Sequence, residues 1–376
     1  MTSHATSGLG ATRDNPWLDL IRALAIVLVL LRHGERALVD IKTGAPDMAE
    51  TMFLNGWVGV DLFFVLSGYL IAAHLIGAGL GSESFSWRRY LARRGRRILP
   101  AYFAVLLLTV LGVFPLFAVS PDNLPWRIGY HVLMLQDYLP ADINVVFWSL
   151  GVEAKFYLIA PLLVAAVLAC RTWQGRAALL AAMFLVSPIL RVAAYAFETS
   201  TLDYYQFWQA YRSPFHTSLE GFAIGIAVAL AERSAMTRRV PGTGALLVGG
   251  SFAILMGWLA SAEFMATIDL ADVLRPSAIA LLAGAMTLGA VHLAGTPMPG
   301  ALPVQGLARV SYSLYLVHFP LIPAAAALTG DVAGFWAAYL ALSLVAAIGL
   351  YFAVERPFLN PRPGARVSRR TLPASA

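Results

Sequence analysis

The chain alternates long apolar stretches with short polar ones. Five stretches run for more than twenty residues without Asp, Glu, Lys or Arg: Ile98–Pro121, Val240–Ala262, Pro276–Ala308, Val310–Gly330 and Val332–Val354. About 20 mainly apolar residues are enough for a helix to cross the hydrocarbon of a bilayer. Five further stretches are apolar but carry ionisable residues: Trp17–Val39, Trp57–Ile76, Trp148–Cys170, Ala177–Phe197 and Ser213–Ala231. With Pro276–Ala308 trimmed to about 274–294, the pattern predicts an all-α integral membrane bundle of about ten transmembrane helices. Segment 126–140 is apolar but short, which predicts a re-entrant or interfacial element. The regions expected are a cytoplasmic N-terminal tail (1–16), a membrane domain (17–356) and a polar, proline-rich, disordered cytoplasmic tail (357–376).

Composition supports this reading. The 376 residues are 59% hydrophobic and 13% charged, against about 25% charged in soluble domains. No room is left for a sizeable soluble domain. The net charge of +6 points to topology rather than to nucleic acid, because the basic residues sit between apolar runs. With the N-terminus inside, inward segments hold 18 of the 27 Lys and Arg residues, among them Arg88, Arg89, Arg93, Arg94, Arg96 and Arg97. The outward segments collect acids such as Asp47, Asp122, Asp142 and Glu198. This asymmetry predicts a cell inner-membrane protein with both termini in the cytoplasm. Cys170 is the only cysteine, which excludes an intrachain disulfide and a thiolate metal cluster. No HExxH pattern occurs, so no metal site is expected.

An ionisable group inside hydrocarbon costs about 2.5–3.5 kcal/mol on insertion scales, so each one needs a reason. Arg22 and His33 are eleven residues apart, which returns to nearly the same helix face about 16 Å further along. Arg22 is read as lying near the inner boundary, either within reach of Asp19 or contributing to a site. His33 then lies towards the outer one. Asp61 and Glu153 open two helices running inward, at a depth comparable to His33. Together these three are the material for a proton-handling site. A Glu153–Lys155 pair is the plainer reading, although that spacing points the two apart. Ser67 and Gly68 are small enough to admit another helix or a thin ligand. Arg212, His216 and Glu220 recur every four residues near the outer side. His318 reads as a core histidine or a site residue, and Arg191 and Glu355 as packing partners. The run Arg88–Arg97 suits phosphate oxygens, whether of an anionic lipid or of a phosphate-rich cofactor such as coenzyme A.

These residues resemble the acyltransferase-3 family of multi-pass membrane acyltransferases, from about Trp17 to Phe358. The first helix, from Arg22 through His33, resembles the family's Arg-x10-His motif. Gly59-Val60-Asp61-Leu62-Phe63-Phe64 through Ser67-Gly68-Tyr69, the basic stretch Arg93–Pro100, and Trp148-Ser149-Leu150 through Glu153 follow in the family's order. Ser311-Tyr312-Ser313 through His318 and Glu355-Arg356-Pro357 complete it. One departure is that Ala154 and Lys155 follow Glu153, where a second acid is common in the family. Some members also carry a fused outer SGNH-hydrolase domain. None is expected here, so the chain is expected to act alone or with a separate extracytoplasmic partner.

The resemblance implies transfer of an acyl group, most often acetyl, from cytoplasmic acyl-CoA to a hydroxyl of an extracytoplasmic glycan or glycolipid. Acyl-CoA is then a co-substrate, and no permanently bound cofactor is expected. Arg22, Arg93, Arg94, Arg96 and Arg97 are expected to hold its phosphates, with the pantetheine arm passing Ser67 and Gly68. His33 is expected to act as base or acyl carrier, with Asp61 or Glu153 orienting it or relaying its proton. The rival reading is a proton-coupled transporter exporting a glycan precursor or small solute. Acceptor, acyl group and oligomeric state are not legible.

Overall fold

The computed structural model describes residues 15–39, 42, 46–82, 85–198, 204–234, 239–261 and 268–359. The expected tails lie outside these residues except for Asn15–Pro16 and residues 357–359. Among the described residues the secondary structure is helical, without strands. In chain order the α-helices are α1 (Pro16–Leu38), α2 (Met48–Leu54), α3 (Gly59–Gly77), α4 (Trp87–Val110), α5 (Leu124–Val132), α6 (Trp148–Ala169), α7 (Trp173–Ala196) and α8 (Tyr204–Phe207). They continue as α9 (Leu219–Arg233), α10 (Pro241–Ser261), α11 (Leu270–His292), α12 (Ala301–Val317), α13 (Ile322–Leu328), α14 (Val332–Leu350) and α15 (Arg356–Leu359).

Six helical segments are long and apolar enough to cross a membrane, or seven if the bent pair α12–α13 is one span. That is fewer than the ten expected from hydropathy, and local composition explains the difference. Helix α1 carries Asp19, Arg22, Arg32, Glu35 and Arg36, and the first half of α4 carries six arginines. Helix α9 is only 15 residues long. Helices α7, α10 and α14 turn apolar side chains such as Ile189, Leu246, Ile254 and Val345 outward. Exposed apolar side chains of this kind suit contact with lipid tails. Helices α3 and α11 are mostly buried and form the centre.

The basic run, expected as a loop, is helical. Ser86 caps α4 by accepting from the Arg89 amide, and arginine is a good helix former. The arginines therefore sit at fixed angles on one rigid element. The expected span Val310–Gly330 is broken instead: α12 and the segment beginning at Phe319 meet at 63°. Pro320 and Pro323 cannot donate backbone hydrogen bonds, and His318 stands at the break. Segment 126–140 includes most of the short α5; Trp126 in it and Leu133 at its C-terminal cap are exposed.

Helix α3 lies closest to α9. A Cβ on Gly68 would meet the backbone of Phe222, and one on Gly225 would overlap the Val65 carbonyl and the Tyr69 amide. Overpacking costs about 1–3 kcal/mol where side chains can move, and backbone cannot move that easily. Gly225→Val is expected to reach or exceed the upper end of that range. The readout is loss of monodisperse protein after detergent extraction; wild-type yield would show that the two helices can separate.

Candidate functional site

A cavity of about 730 Å³ opens between α1, α3, α4, α6 and α12. Along α3 it runs from Val60 to Ile71, eleven steps along the helix or about 16 Å. Its composition changes along that length. At one end stand Arg22 from α1, Arg93, Arg94 and Arg97 from α4, and Arg309 from α12. The middle holds Ser67, Glu153, Tyr157 and Tyr312, and the far end holds Val60, Phe63, Ser149 and Tyr315.

The basic end is ordered by local partners. Arg22 donates to Asp19 at 2.5 Å, one turn away on α1. Arg97 donates to Glu355 at 2.5 Å and lies over the Tyr312 ring. Glu355 also accepts from Ser313, and a π-helical turn at Tyr351–Glu355 brings it inward. Arg94 lies over both Tyr90 and Tyr157. The hydroxyl of Tyr90 donates to the Tyr157 carbonyl, and that of Tyr312 to the Ile98 carbonyl, fastening α4 to α6 and α12. Five guanidiniums thus converge on one space, and Asp19 is the single carboxylate lining that end.

In the middle, Oε1 of Glu153 accepts from Ser67 at 2.6 Å and from Tyr157 at 2.5 Å. Lys155 does not pair with Glu153; it reaches Asp137 at 2.6 Å, as helical spacing requires. At the far end the Tyr315 hydroxyl donates to the Val146 carbonyl and meets Ser149 at 2.6 Å. Beyond Tyr315 comes a histidine pair. The ring of His318 lies 5.8 Å from that of Tyr315, and its Nε2 is 3.0 Å from Nδ1 of His33. His318 is fully buried, and His33 is partly exposed.

The structure therefore gathers Arg22, Ser67, Arg93, Arg94, Arg97 and Glu153 around one cavity, with His33 one aromatic ring beyond its end. Three expected site residues are elsewhere. Gly68 is spent on the α3–α9 contact, and Arg96 is exposed and faces away from the cavity. Asp61 receives a two-pronged hydrogen bond from Arg212, at 2.9 and 3.0 Å, with both side chains buried. Its carboxylate is engaged there and not with the His33 imidazole. Glu220 likewise belongs to Arg191, which also donates to Val273, Thr217 and Ser277 and so ties α7 to α9 and α11.

Sequence reasoning left Ser149, Tyr157, Tyr312, Tyr315 and Arg309 without roles. A signal was present on α6: Ser149, Glu153 and Tyr157 recur every four residues, a polar stripe on one face of an apolar helix.

Comparison with known proteins adds to this geometry. The family model Acyl_transf_3, described as an acyltransferase domain, matches residues 15–354. Acyltransferase MdmB of Streptomyces mycarofaciens is 29% identical over 372 residues, 92% of this chain and 92% of that protein. Peptidoglycan O-acetyltransferase OatA of Listeria monocytogenes is 29% identical over 163 residues, 39% of this chain. YrhL of Bacillus subtilis is 29% identical over 195 residues, 48% of this chain. The matches span 23% of OatA and 28% of YrhL, so the chain corresponds to a minor part of those two. No solved structure matches.

Proposed function

The chain belongs to the Acyl_transf_3 acyltransferase family, and from that premise we propose that it carries an acyl group, acetyl by preference, from cytoplasmic acyl-CoA to a hydroxyl of an extracytoplasmic glycan or glycolipid. Family membership decides for acyl transfer over solute transport. The polarity of the cavity carries the rest of the reading: five guanidiniums at one end, a histidine pair beyond the other. The protein is then oriented in the cell inner membrane with the basic end and both termini facing the cytoplasm, in keeping with the excess of arginine in inward segments.

The division solves a physical problem. Coenzyme A carries several phosphate charges, and their burial in hydrocarbon is prohibitive. Arginine forks match phosphate oxygens, so the charged end stays at the basic mouth. Only the thin, neutral pantetheine arm enters, along the Ser67 and Tyr157 wall. At the far end the His33 imidazole takes the proton of the acceptor hydroxyl. The oxygen bonds to the thioester carbonyl carbon, the carbon–sulfur bond breaks, and the thiolate leaves with the electron pair to be reprotonated by the imidazolium.

The test uses purified protein in lipid nanodiscs with radiolabelled acetyl-CoA and a glycan acceptor, the product identified by mass spectrometry. Hydrogen bonds to charged groups contribute about 1.5–3 kcal/mol each. Arg93→Gln combined with Arg94→Gln is therefore expected to raise the KM for acetyl-CoA by roughly 100-fold or more, with a smaller change in kcat. An unchanged KM would remove coenzyme A from the basic end.

A further inference from the structure

The reading above makes His33 the base but leaves open what holds it. The two carboxylates the sequence offers are occupied, Asp61 by Arg212 and Glu153 by Ser67 and Tyr157. The side chain that does touch the His33 ring through a nitrogen is His318.

The tautomers follow from the hydrogen bonds. Nδ1 of His318 is 3.1 Å from the carbonyl oxygen of Leu314. A carbonyl only accepts, so that nitrogen carries the hydrogen. A neutral imidazole has one N–H, so Nε2 of His318 holds a lone pair. Nε2 lies 3.0 Å from Nδ1 of His33, and one of two nitrogens at that distance must donate. His33 is therefore protonated on Nδ1, and its Nε2 is left as a bare acceptor. We infer that His318 is the positioning residue of the reaction: anchored to the Leu314 carbonyl at the α12–α13 break, it fixes the tautomer of His33 and leaves Nε2 free to take the hydroxyl proton.

In hydrolases built on a histidine base, a buried carboxylate does this work. A neutral imidazole does it without adding an anion to a membrane interior. Before proton transfer the His33–His318 bond joins two neutral rings. Once His33 has taken a proton, the same N–H donates from a cation, and charge-assisted bonds are roughly twice as strong. The gain arises as the reaction proceeds and is absent from the ground state, which is the condition for lowering a barrier. Taking up two protons would set two cations at 3.0 Å spacing, so the neutral pair takes up at most one.

The inference rests on His33 as base, and the experiment separates the two. His318→Leu removes the acceptor, and His318→Gln restores one, since the glutamine oxygen reaches about as far as Nε2. In nanodiscs, His318→Leu is expected to lower kcat by about 100-fold or more with the KM for acetyl-CoA within threefold, and His318→Gln to recover at least a tenth of wild-type kcat. In a serine protease, replacing the orienting aspartate so that the histidine takes the wrong tautomer costs about 10⁴-fold, which sets the ceiling. Nitrogen-15 solid-state NMR of the histidine-labelled wild-type protein reads the tautomer itself, independently of turnover. A bare Nε2 and a protonated Nδ1 on His33, identified by their absence in His33→Gln, are expected. The reverse assignment, or an unchanged kcat in His318→Leu, overturns the role of His318 while leaving His33 as base. A fully active His33→Gln overturns the underlying reading instead.

Discussion

Replacing His33 with alanine is expected to lower acyl transfer by about 10²–10⁴-fold, the usual contribution of a positioned general base, while the KM for acetyl-CoA stays within a few fold. The separation of the two effects follows from distance. Arg22 and His33 are eleven residues apart on one helix, about 16 Å, and His33 sits beyond Tyr315 at the end remote from the guanidiniums. Deleting the ring touches neither the basic end nor the Ser67–Glu153–Tyr157 wall. Initial rates over a range of acetyl-CoA concentrations, with acceptor in excess, read both parameters. Full glycan acetylation by the alanine variant would remove His33 from the chemistry. A large rise in KM with kcat intact would move its role to donor binding.

Removing the carboxylate of Asp61 should damage the fold rather than the chemistry. Asp61 and Arg212 bond through both oxygens and both terminal nitrogens, and each is more than nine-tenths buried. The guanidinium also lies over the Trp57 ring at 4.8 Å. Breaking a buried pair from one side costs about 3–5 kcal/mol, because the remaining charge stays in a poor solvent. Asp61→Ala is therefore expected to lower the thermal midpoint and the monodisperse yield in detergent. Taking away both charges, as Asp61→Leu with Arg212→Met, should restore most of the loss, since apolar replacements of buried pairs are often neutral or better. Transfer activity should return with stability. A stable double variant with no activity would return Asp61 to the proton path.

How much of this was legible in the sequence depended on range. Hydropathy placed α6 at Trp148 and α14 at Val332, where they begin. It missed the helical character of the Arg88–Arg97 run, because helix propensity and hydrophobicity are different properties and arginine is high in one and low in the other. The spacing of Arg22 and His33 gave their common face and relative depth, both properties of one helix. Partners across helices carry no local mark. Arg212 is 151 residues from Asp61, and His318 is 285 from His33. Equal depth on neighbouring helices suggested that Asp61, Glu153 and His33 meet, but depth does not fix the angle at which a side chain leaves its helix. In the folded chain Asp61 points to Arg212, Glu153 into the cavity, and His33 to His318. Gly68 had two readings from sequence, and only the packing of α3 on α9 separates them.

The acids stationed among the guanidiniums make the basic mouth an ion exchanger. An incoming anion finds Arg22 held by Asp19 and Arg97 held by Glu355, so it must displace or share a resident counter-charge. A singly charged species such as free acetate trades one modest pairing for another and gains little. A polyanion engages several arginines at once, and its gain grows with each contact after the first. Under the proposed function, the mouth would thereby discriminate by valence, favouring a polyanionic donor over small carboxylates.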